Sequence, residues 1–335
     1  MRYKTVPAIP GVQFSAIGLG CWSLGGGSRW EGSSDARSIA TVRRAIEEGV
    51  NFIDTAPVYG FGASERLLGE ALQGRRDKVF LASKCGLVWD DTRIISRSLS
   101  ESVSRSLSAS TVRSDVEASL RRLRTDHLDL LQLHWPDHDT PLEETARALE
   151  DVLRAGKARR IGVTNFSVAE ADALSRMVPI VSCQALYNVL ERNPATYHAN
   201  SLDYRTEKEV LPYCREKGFA FFPYGPLMQG LLTGSFTRRT SFIAEDVRSE
   251  NPKLSGAAFE RYLAAADALK LVAKDEELTL TKLSLAWLCH RSEVTSVICG
   301  AQDPEQIAAN ASASEVVLSE AVLNRIEQIT ADVDL

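Results

Sequence analysis

The chain has 335 residues, of which 44% are hydrophobic and 25% are charged, values typical of a globular protein. Its net charge of −5 argues against a basic binding surface, so we expect neither nucleic acid nor an anionic membrane as a partner. The amino-terminal segment lacks the hydrophobic stretch of a secretion signal and no apolar run reaches spanning length, so we expect a cytoplasmic protein.

Six cysteines are scattered along the chain, with no C-x-x-C pair and no Cys/His cluster at the spacing of a metal site. We therefore predict buried thiols in a reducing compartment and no bound metal. The six residues are Cys21, Cys85, Cys183, Cys214, Cys289 and Cys299.

Short apolar segments alternate with longer segments of helical periodicity from one end of the chain to the other. Several short segments are apolar at successive positions, which is typical of parallel strands buried on both faces. Eight strands with helices between them predict an α/β fold, a (β/α)8 TIM barrel, and we expect residues 1–335 to form one domain. The predicted strands are residues 17–21, 52–54, 79–84, 128–134, 158–163, 180–184, 219–223 and 296–299.

An open, doubly wound sheet is the alternative for the same alternation of elements. Dinucleotide-binding sheets of that kind carry the pattern G-x-G-x-x-G directly after their first strand. In this chain the glycines that follow the first strand have a different spacing, at Gly18, Gly20, Gly25, Gly26 and Gly27. We therefore favour the closed barrel over the open sheet.

Two of the predicted helices carry clear signals. Apolar residues recur every three to four positions over residues 112–123, which predicts an amphipathic helix before the fourth strand. In the next helix we predict Thr140 as the N-cap, Pro141 at the first helical position and Glu143 completing a capping box. Gly156 stands where that helix is predicted to end.

Three further segments are predicted to cover the ends of the barrel. Residues 3–16 alternate in polarity and are broken by Pro10-Gly11, which predicts an N-terminal β-hairpin over the barrel floor. The long loops 86–110 and 225–256 follow strands 3 and 7 at the catalytic face, so we predict that they act as lids. Serine occupies every even position from 96 to 110, and a solvated, poorly ordered loop is the alternative there.

Four polar side chains stand at the ends of consecutive predicted strands. Asp54 ends the second strand, Tyr59 follows it, Lys84 ends the third strand and His134 ends the fourth. Because the carboxyl ends of barrel strands face one pocket, we expect these groups to converge. Each has an ordinary interpretation when taken alone, as a turn aspartate, a loop tyrosine, a solvated lysine and a semi-buried histidine. Their joint placement favours a catalytic site.

The chemistry of these groups is mutually consistent. A tyrosine hydroxyl has a pKa of about 10, and a neighbouring ammonium such as Lys84 favours the phenolate and eases proton donation. Asp54 would pair with that ammonium, and His134 would hydrogen-bond the oxygen of a substrate carbonyl. The set is suited to polarising and protonating a carbonyl while hydride arrives from elsewhere.

A series of motifs runs through the chain in a characteristic order. They are DTAPVYG at 54–60, GASERLLG at 62–69, Lys84, LQLHWP at 131–136, GVTNFS at 162–167, Gln184 with Tyr187-Asn188, YGPL at 224–227, GLLTG at 230–234, and Gly300-Ala301 with Gln306 and Asn310. In this order they resemble the aldo-keto reductase superfamily, most closely its bacterial branch of general-stress and inositol-locus reductases. The resemblance implies hydride transfer between NADP(H) and an aldehyde or ketone, with Tyr59 as the general acid.

The resemblance also implies which residues hold cofactor and substrate. Residues 164, 165 and 184 would hold the nicotinamide carboxamide, Tyr224 would stack on the ring, and residues 225–230 would wrap the pyrophosphate. The implied cofactor-binding residues are Cys21, Trp22, Asp54, Thr164, Asn165, Gln184, Tyr224, Gly225, Pro226, Leu227, Gln229, Gly230, Gly300, Gln302, Gln306 and Asn310. The implied substrate pocket is lined by Trp22, Tyr59, Trp89, His134 and Trp135, which favours apolar or aromatic carbonyls.

One position departs from the family pattern. Many relatives have a basic residue two positions after the motif glycine, where it grips the 2′-phosphate of NADP, whereas this chain has Gln302. A neutral amide supplies no charge-assisted hydrogen bond, so NAD(H) is the alternative to NADP(H). The long loop after the seventh strand offers four cations that could supply the charge, namely Arg238, Arg239, Arg248 and Lys253.

Two other functions fit a barrel of this kind. One is a channel-associated subunit that binds NADP with little turnover, and the complete set of four catalytic residues argues against it. The other is an aldolase that uses Lys84 as a Schiff base, which would need an unpaired lysine rather than one beside Asp54. We expect a reductase of small-molecule carbonyls, as a monomer or weak homo-oligomer.

Overall fold

The computed structural model describes residues 1–25, 34–89, 103–198, 200–244, 246–331 and 333. The strands there are β1 (Tyr3–Lys4), β2 (Phe14–Ser15), β3 (Ile17–Gly20), β4 (Phe52–Asp54), β5 (Phe80–Cys85), β6 (Leu87–Trp89), β7 (Val103–Arg105), β8 (Leu130–Leu133), β9 (Ile161–Thr164), β10 (Ile180–Leu186), β11 (Thr196–Tyr197), β12 (Asn200–Ser201), β13 (Ala220–Tyr224) and β14 (Val297–Gly300). The α-helices are α1 (Asp35–Glu47), α2 (Ala63–Ala71), α3 (Ala109–Leu123), α4 (Leu142–Arg154), α5 (Val168–Ser175), α6 (Leu211–Lys217), α7 (Gly256–Asp275), α8 (Leu280–His290), α9 (Pro304–Ser312) and α10 (Glu320–Thr330).

Eight of these strands form one parallel sheet that closes on itself. Their order is β13-β10-β9-β8-β5-β4-β3-β14, so strands that follow one another along the chain are neighbours in the sheet. The two outer strands meet where Phe221 forms a parallel bridge with Val294 and accepts a backbone hydrogen bond from Thr295 at 2.9 Å. The predicted (β/α)8 barrel is therefore confirmed.

All eight predicted strands are present, with shifted ends. The third strand continues one residue beyond Lys84, and the fourth ends at Leu133, one residue before His134. Leu128 and Ala158, both predicted to start strands, form only an isolated bridge with each other. Local apolarity marks the buried stretch of a strand, but the length of its ladder also depends on the neighbouring strand.

The amino-terminal hairpin closes the bottom of the barrel, as predicted. β1 and β2 pair antiparallel. Phe14 of β2 is fully buried, and its ring lies edge-on to Phe52, Phe80 and Phe222 at centre distances of 5.8, 4.8 and 5.6 Å. Phe52 and Phe80 are the first residues of β4 and β5, so this aromatic cluster fills the amino-terminal end of the barrel.

The helix predicted over 112–123 is α3, and Val112 and Val116 on its inner face are buried. The N-cap prediction for α4 is wrong. Pro141 is the N-cap, and the Thr140 hydroxyl donates to Asp137 Oδ2 at 2.6 Å instead. A capping hydroxyl accepts from a backbone N–H of the first turn, whereas the Thr140 hydroxyl is turned towards the carboxylate as a donor.

The predicted capping box of α4 is also absent, because Glu143 lies in the first turn opposite an N-cap without a capping side chain. A complete capping box occurs one helix later, between Ser167 and Glu170 at the start of α5. The predicted end of α4 is confirmed by Gly156, which follows the helix with φ of +70°. A left-handed residue after the last turn favours glycine.

Hairpins extend two connections at the carboxyl ends of the strands. β6 and β7 pair antiparallel in the loop after the third barrel strand. Residues 90–102 of that loop lie outside the described part of the chain, so the nature of the serine run stays a prediction there. Ser108, near the end of the run, caps α3. β11 and β12 form a second hairpin after the sixth barrel strand, which the sequence did not predict. The loop after the seventh contains 3-10 turns at Met228–Thr233, Val247–Glu250 and Pro252–Leu254.

All six cysteines fall within the described residues, where each is buried and free of a disulfide, as predicted. Across the described residues, no helix combines the length and apolar character required to cross a membrane.

Candidate active site

A cavity of about 1080 Å³ opens at the carboxyl ends of the barrel strands. Its lining includes Asp54, Tyr59 and His134, together with all sixteen residues that the sequence assigned to the cofactor. Lys84 lies below the cavity floor and is fully buried. Trp89, predicted to line the substrate pocket, does not belong to the lining, because its ring packs against Phe61 at 5.7 Å.

Lys84 and Asp54 form a buried ion pair beneath Tyr59. The Lys84 ammonium donates to Asp54 Oδ1 at 2.6 Å, to the Thr55 carbonyl at 3.0 Å and to the Tyr59 hydroxyl at 3.3 Å. The side chains of the pair are 0% and 2% exposed. A buried charge of either sign is costly without its partner, so each residue stabilises the burial of the other.

The other carboxylate oxygen of Asp54 is also satisfied. Oδ2 accepts hydrogen bonds from Gln132 Nε2 at 3.0 Å and Gln184 Nε2 at 3.1 Å. Gln132 lies on β8 and Gln184 on β10, so side chains from two other strands hold the carboxylate of Asp54 on β4. Sequence analysis missed Gln132, although its place two residues before His134 puts both side chains on one face of the chain.

Burial raises the pKa of Tyr59 well above its usual value, and the Asp54 carboxylate and Cys21 raise this pKa further. The sequence predicted that Lys84 would lower this pKa, whereas it is raised, with burial as the largest cause. The phenol is therefore protonated at neutral pH and holds the proton that a general acid must donate.

His134 stands beside this phenol in the neutral form. Its ring lies edge-on to the Tyr59 ring, with centres 5.9 Å apart. Burial lowers the pKa of His134 well below its usual value, and the charges of Lys84 and Arg105 lower it further. A neutral imidazole carries one N–H, so His134 has one hydrogen bond to donate.

The wall formed by β9 and β13 has the groups that a nicotinamide amide requires. Thr164 Oγ1 is buried and has no hydrogen-bond partner among the described residues. Asn165 Oδ1 accepts from Tyr224 at 2.7 Å and from Tyr204 at 3.0 Å, and its Nδ2 donates to the His134 carbonyl at 3.2 Å. Tyr204, which sequence analysis missed, thus holds Asn165. The unsatisfied Thr164 hydroxyl fits an amide ligand at this point.

The segment 225–230, to which the sequence assigned the pyrophosphate, turns sharply beside the cavity. Met228 and Gln229 are in the left-handed region with φ of +45° and +52°, and Gly230 follows with φ of +105°. The Gln229 side chain accepts from Asn251 Nδ2 at 2.7 Å and lies 3.2 Å from His198 Nε2. Gln229 therefore ties this loop to the β11–β12 hairpin.

The end of the cavity at Gln302, to which the sequence assigned the adenosine, has a neutral side chain at this position. Gln302 donates its backbone N–H to Gln306 Oε1 at 2.9 Å, and Gln306 donates its own to Asp303 Oδ1 at 2.7 Å. Asp303 Oδ2 pairs with Arg37 of α1 at 3.2 Å. The Arg37 side chain is 52% exposed, so a cation that sequence analysis did not consider lies next to this end.

The loop cations proposed from the sequence as substitutes are engaged elsewhere or exposed. Lys253 donates to Glu191 Oε1 at 2.6 Å and to the Thr196 carbonyl at 2.9 Å. Arg248 pairs with Asp246. Arg238 and Arg239 are exposed, and Arg238 lies 3.4 Å from Glu260.

The β11–β12 hairpin contributes cavity residues for which the sequence carried no strand signal. Tyr197 and His198 line the cavity, and the His198 ring lies edge-on to Trp22 with centres 6.3 Å apart. Burial lowers the pKa of His198 to about 4. The Asn193-Pro194 pair marks a turn in this connection and was the available signal.

Comparison with known proteins agrees with this geometry. The model of the aldo/keto reductase family matches residues 16–331. The NADH-specific methylglyoxal reductase of Escherichia coli is 32% identical over 316 residues, which cover 92% of this chain and 93% of that protein.

Two solved structures extend the comparison to three dimensions. The glycerol dehydrogenase of Gluconobacter oxydans aligns with a TM-score of 0.85 and 34% identity over 98% of this chain and 95% of that one. An aldo/keto reductase from Klebsiella pneumoniae, in complex with NADP and acetate, aligns with a TM-score of 0.70 and 27% identity over 95% of this chain and 92% of that one.

The chain is a barrel oxidoreductase of carbonyl compounds that uses a nicotinamide cofactor. It belongs to the aldo/keto reductase family. These similarities show the family, whereas its branch stays a prediction.

Proposed function

We propose that the chain transfers hydride between NADP(H) and an aldehyde or ketone, with Tyr59 as general acid and base. The observation that carries this proposal is the Lys84 ammonium, which lies 2.6 Å from Asp54 and 3.3 Å from the Tyr59 hydroxyl, below the cavity floor. An ammonium in this position stabilises the negative charge that Tyr59 acquires when its proton leaves.

Each residue of the site has a distinct task in this proposal. Tyr59 donates its proton to the carbonyl oxygen as negative charge develops there, and Lys84 stabilises the phenolate that remains. Asp54 keeps the ammonium charged and in place. His134 donates a hydrogen bond to the same carbonyl oxygen and so orients it. When bound, the nicotinamide supplies the hydride.

The proposal places the nicotinamide against Thr164 and the adenosine near Gln302. Its support is the unsatisfied Thr164 hydroxyl and the continuous cavity that joins these two residues. The relative from Klebsiella pneumoniae binds NADP, whereas the relative from Escherichia coli is NADH-specific. We favour NADP(H) because Arg37 brings a positive charge to the adenosine end, and NAD(H) use is the alternative.

A regulatory subunit with little turnover is the rival proposal. It gives no reason for a buried Lys84–Asp54 pair beneath a protonated phenol, with Gln132 and Gln184 donating to the carboxylate, since such a pair contributes little to stability on balance. The catalytic proposal accounts for the pair directly.

The test is to follow oxidation of NADPH and NADH by the purified protein with a panel of aromatic and aliphatic aldehydes, and to measure cofactor binding by quenching of tryptophan fluorescence. We expect turnover by the wild type and none by Tyr59→Phe, with equal cofactor affinity. Tight cofactor binding without turnover across the panel would favour the regulatory subunit.

A further inference from the structure

A positive charge stands at the substrate end of the cavity, outside the catalytic residues. Arg105 is the last residue of β7 and lines the cavity. Its guanidinium carbon lies 4.5 Å from the centre of the Trp135 ring, and its Nη2 donates to Asn200 Oδ1 at 3.3 Å. The ring on one side and the amide at one edge fix the orientation of the guanidinium.

Arg105 has no ionic partner among the described residues, unlike three other charged residues of the cavity wall. Asp54 pairs with Lys84, Glu191 with Lys253 and Arg248 with Asp246. Burial lowers the pKa of Arg105, and the charges of Asp203 and Asp137 offset this only in part; neither carboxylate forms an ion pair with Arg105 among the described residues. Its remaining N–H donors are thus available.

Arg105 lies close in the structure to the residues proposed to contact the substrate carbonyl. Trp135, on which it stacks, directly follows His134. The charge of Arg105 also contributes to the lowered pKa of His134, so its field reaches the catalytic group. A substrate whose carbonyl contacts Tyr59 and His134 would extend past Trp135 towards this guanidinium.

We propose that Arg105 binds an anionic group of the substrate, so that the preferred substrates are aldehydes or ketones that carry a carboxylate. The planar fork of a guanidinium matches the two oxygens of a carboxylate and forms two parallel hydrogen bonds with it. Trp22 and Trp135 provide apolar surface in the same cavity. The inference rests on the proposed carbonyl reduction and adds the substrate class to it.

The experiment compares two substrates that differ only in charge, 4-carboxybenzaldehyde and its methyl ester. We expect the wild type to prefer the carboxylate in kcat/KM. Arg105→Gln should lose about ten- to a hundredfold on the carboxylate, mainly through KM, because a charge-assisted hydrogen bond contributes about that much to affinity. The same variant should lose far less on the ester than on the carboxylate, and Arg105→Lys should retain part of the preference.

The matched control is Arg113→Gln on α3, which removes an exposed arginine paired with Asp151. This variant should have the wild-type kcat/KM on both substrates. Equal losses on acid and ester in Arg105→Gln would show a structural role for Arg105 and overturn the proposal, as would a wild type without preference for the acid.

A binding measurement tests the anion site separately from the proposed reaction. Benzoate binding, measured by calorimetry on the wild type and Arg105→Gln, does not depend on turnover. Loss of benzoate affinity in Arg105→Gln supports the anion site even if neither aldehyde is reduced. Benzoate affinity that is unchanged by the substitution overturns it even if both are reduced.

Discussion

The ammonium nitrogen of Lys84 lies 3.3 Å from the hydroxyl oxygen of Tyr59, within hydrogen-bonding distance. The same ammonium also donates to Asp54 and to the Thr55 carbonyl, so its three N–H donors have three acceptors. Because Tyr59 is the acceptor in its contact with Lys84, its own proton points elsewhere and is free to be donated. This arrangement makes the lysine a support for the phenolate and leaves the acid role to the tyrosine.

Tyr59→Phe should abolish carbonyl reduction and leave NADPH affinity nearly unchanged. The hydroxyl acts on the reacting oxygen in the transition state, and general acid catalysis contributes about 10²–10⁴ in rate. Single-turnover rates and fluorescence titration measure the two quantities separately. A variant that kept more than about a tenth of the wild-type rate, when chemistry limits turnover, would contradict the assignment.

Lys84→Met should eliminate turnover and also destabilise the fold, because it leaves the Asp54 carboxylate buried without a cation. Removing one partner of a buried ion pair costs about 3–5 kcal/mol. The double variant Lys84→Met/Asp54→Asn should recover much of this stability and remain inactive. Urea unfolding and turnover assays of both variants provide the check. If the single variant unfolds at the same urea concentration as the double variant, the carboxylate does not depend on Lys84.

Two buried histidines should make the protein less stable in mild acid. The pKa of His198 is lowered to about 4 and that of His134 is lowered well below its usual value, both mainly by burial. Above pH of about 6.5 both the folded and the unfolded state are neutral at these residues, so they contribute nothing to the pH dependence. Below it the unfolded chain binds protons that the folded protein does not, so stability is lost as the pH falls.

The slope from each histidine is at most about 1.4 kcal/mol per pH unit. His198→Asn should remove one of the two contributions between about pH 6.5 and the folded-state pKa of about 4, and asparagine accepts the φ of +51° at this position. Urea unfolding at a series of pH values measures both slopes. Parallel stability curves for the variant and the wild type would show that His198 titrates normally in the folded state.

The barrel was predictable from the sequence because each strand carries its own apolar signal and consecutive strands are neighbours in the sheet. The proximity of the proposed catalytic residues was predictable for a related reason, since Asp54, Lys84 and His134 lie at or next to the ends of such strands. Parallel strands bring their carboxyl ends together, and no knowledge of the loops is needed.

The cavity rim was not predictable in the same way. His198 sits between two strands of two residues each, too short to carry a periodic signal. The direction of the Tyr59 pKa shift depends on burial, which is a property of the whole fold. The Arg37–Asp303 pair joins residues that are far apart in the chain, on α1 and just before α9, and helix packing alone brings them together.

The cofactor prediction concerns this last region. Gln302→Arg should tighten the binding of NADPH and leave the binding of NADH almost unchanged, because a new guanidinium would form a charge-assisted hydrogen bond with the 2′-phosphate. Such a bond contributes about ten- to a hundredfold in affinity. The gain should shrink with added salt, since exposed charges are screened over about 10 Å at 0.1 M ionic strength. Quenching of tryptophan fluorescence measures both dissociation constants.

Arg37 supplies the matched comparison, because it is the cation that already lies beside Asp303. Arg37→Gln should weaken the binding of NADPH and leave the binding of NADH unchanged. Asp303→Asn should increase the affinity for NADPH, because it releases the Arg37 guanidinium from its ion pair. Asparagine is also a good N-cap, so α9 should keep its cap. Equal tightening of NADPH and NADH by Gln302→Arg would mean that position 302 does not face the 2′-phosphate. If Gln302→Arg changes neither constant while Arg37→Gln weakens NADPH, Arg37 alone recognises the phosphate.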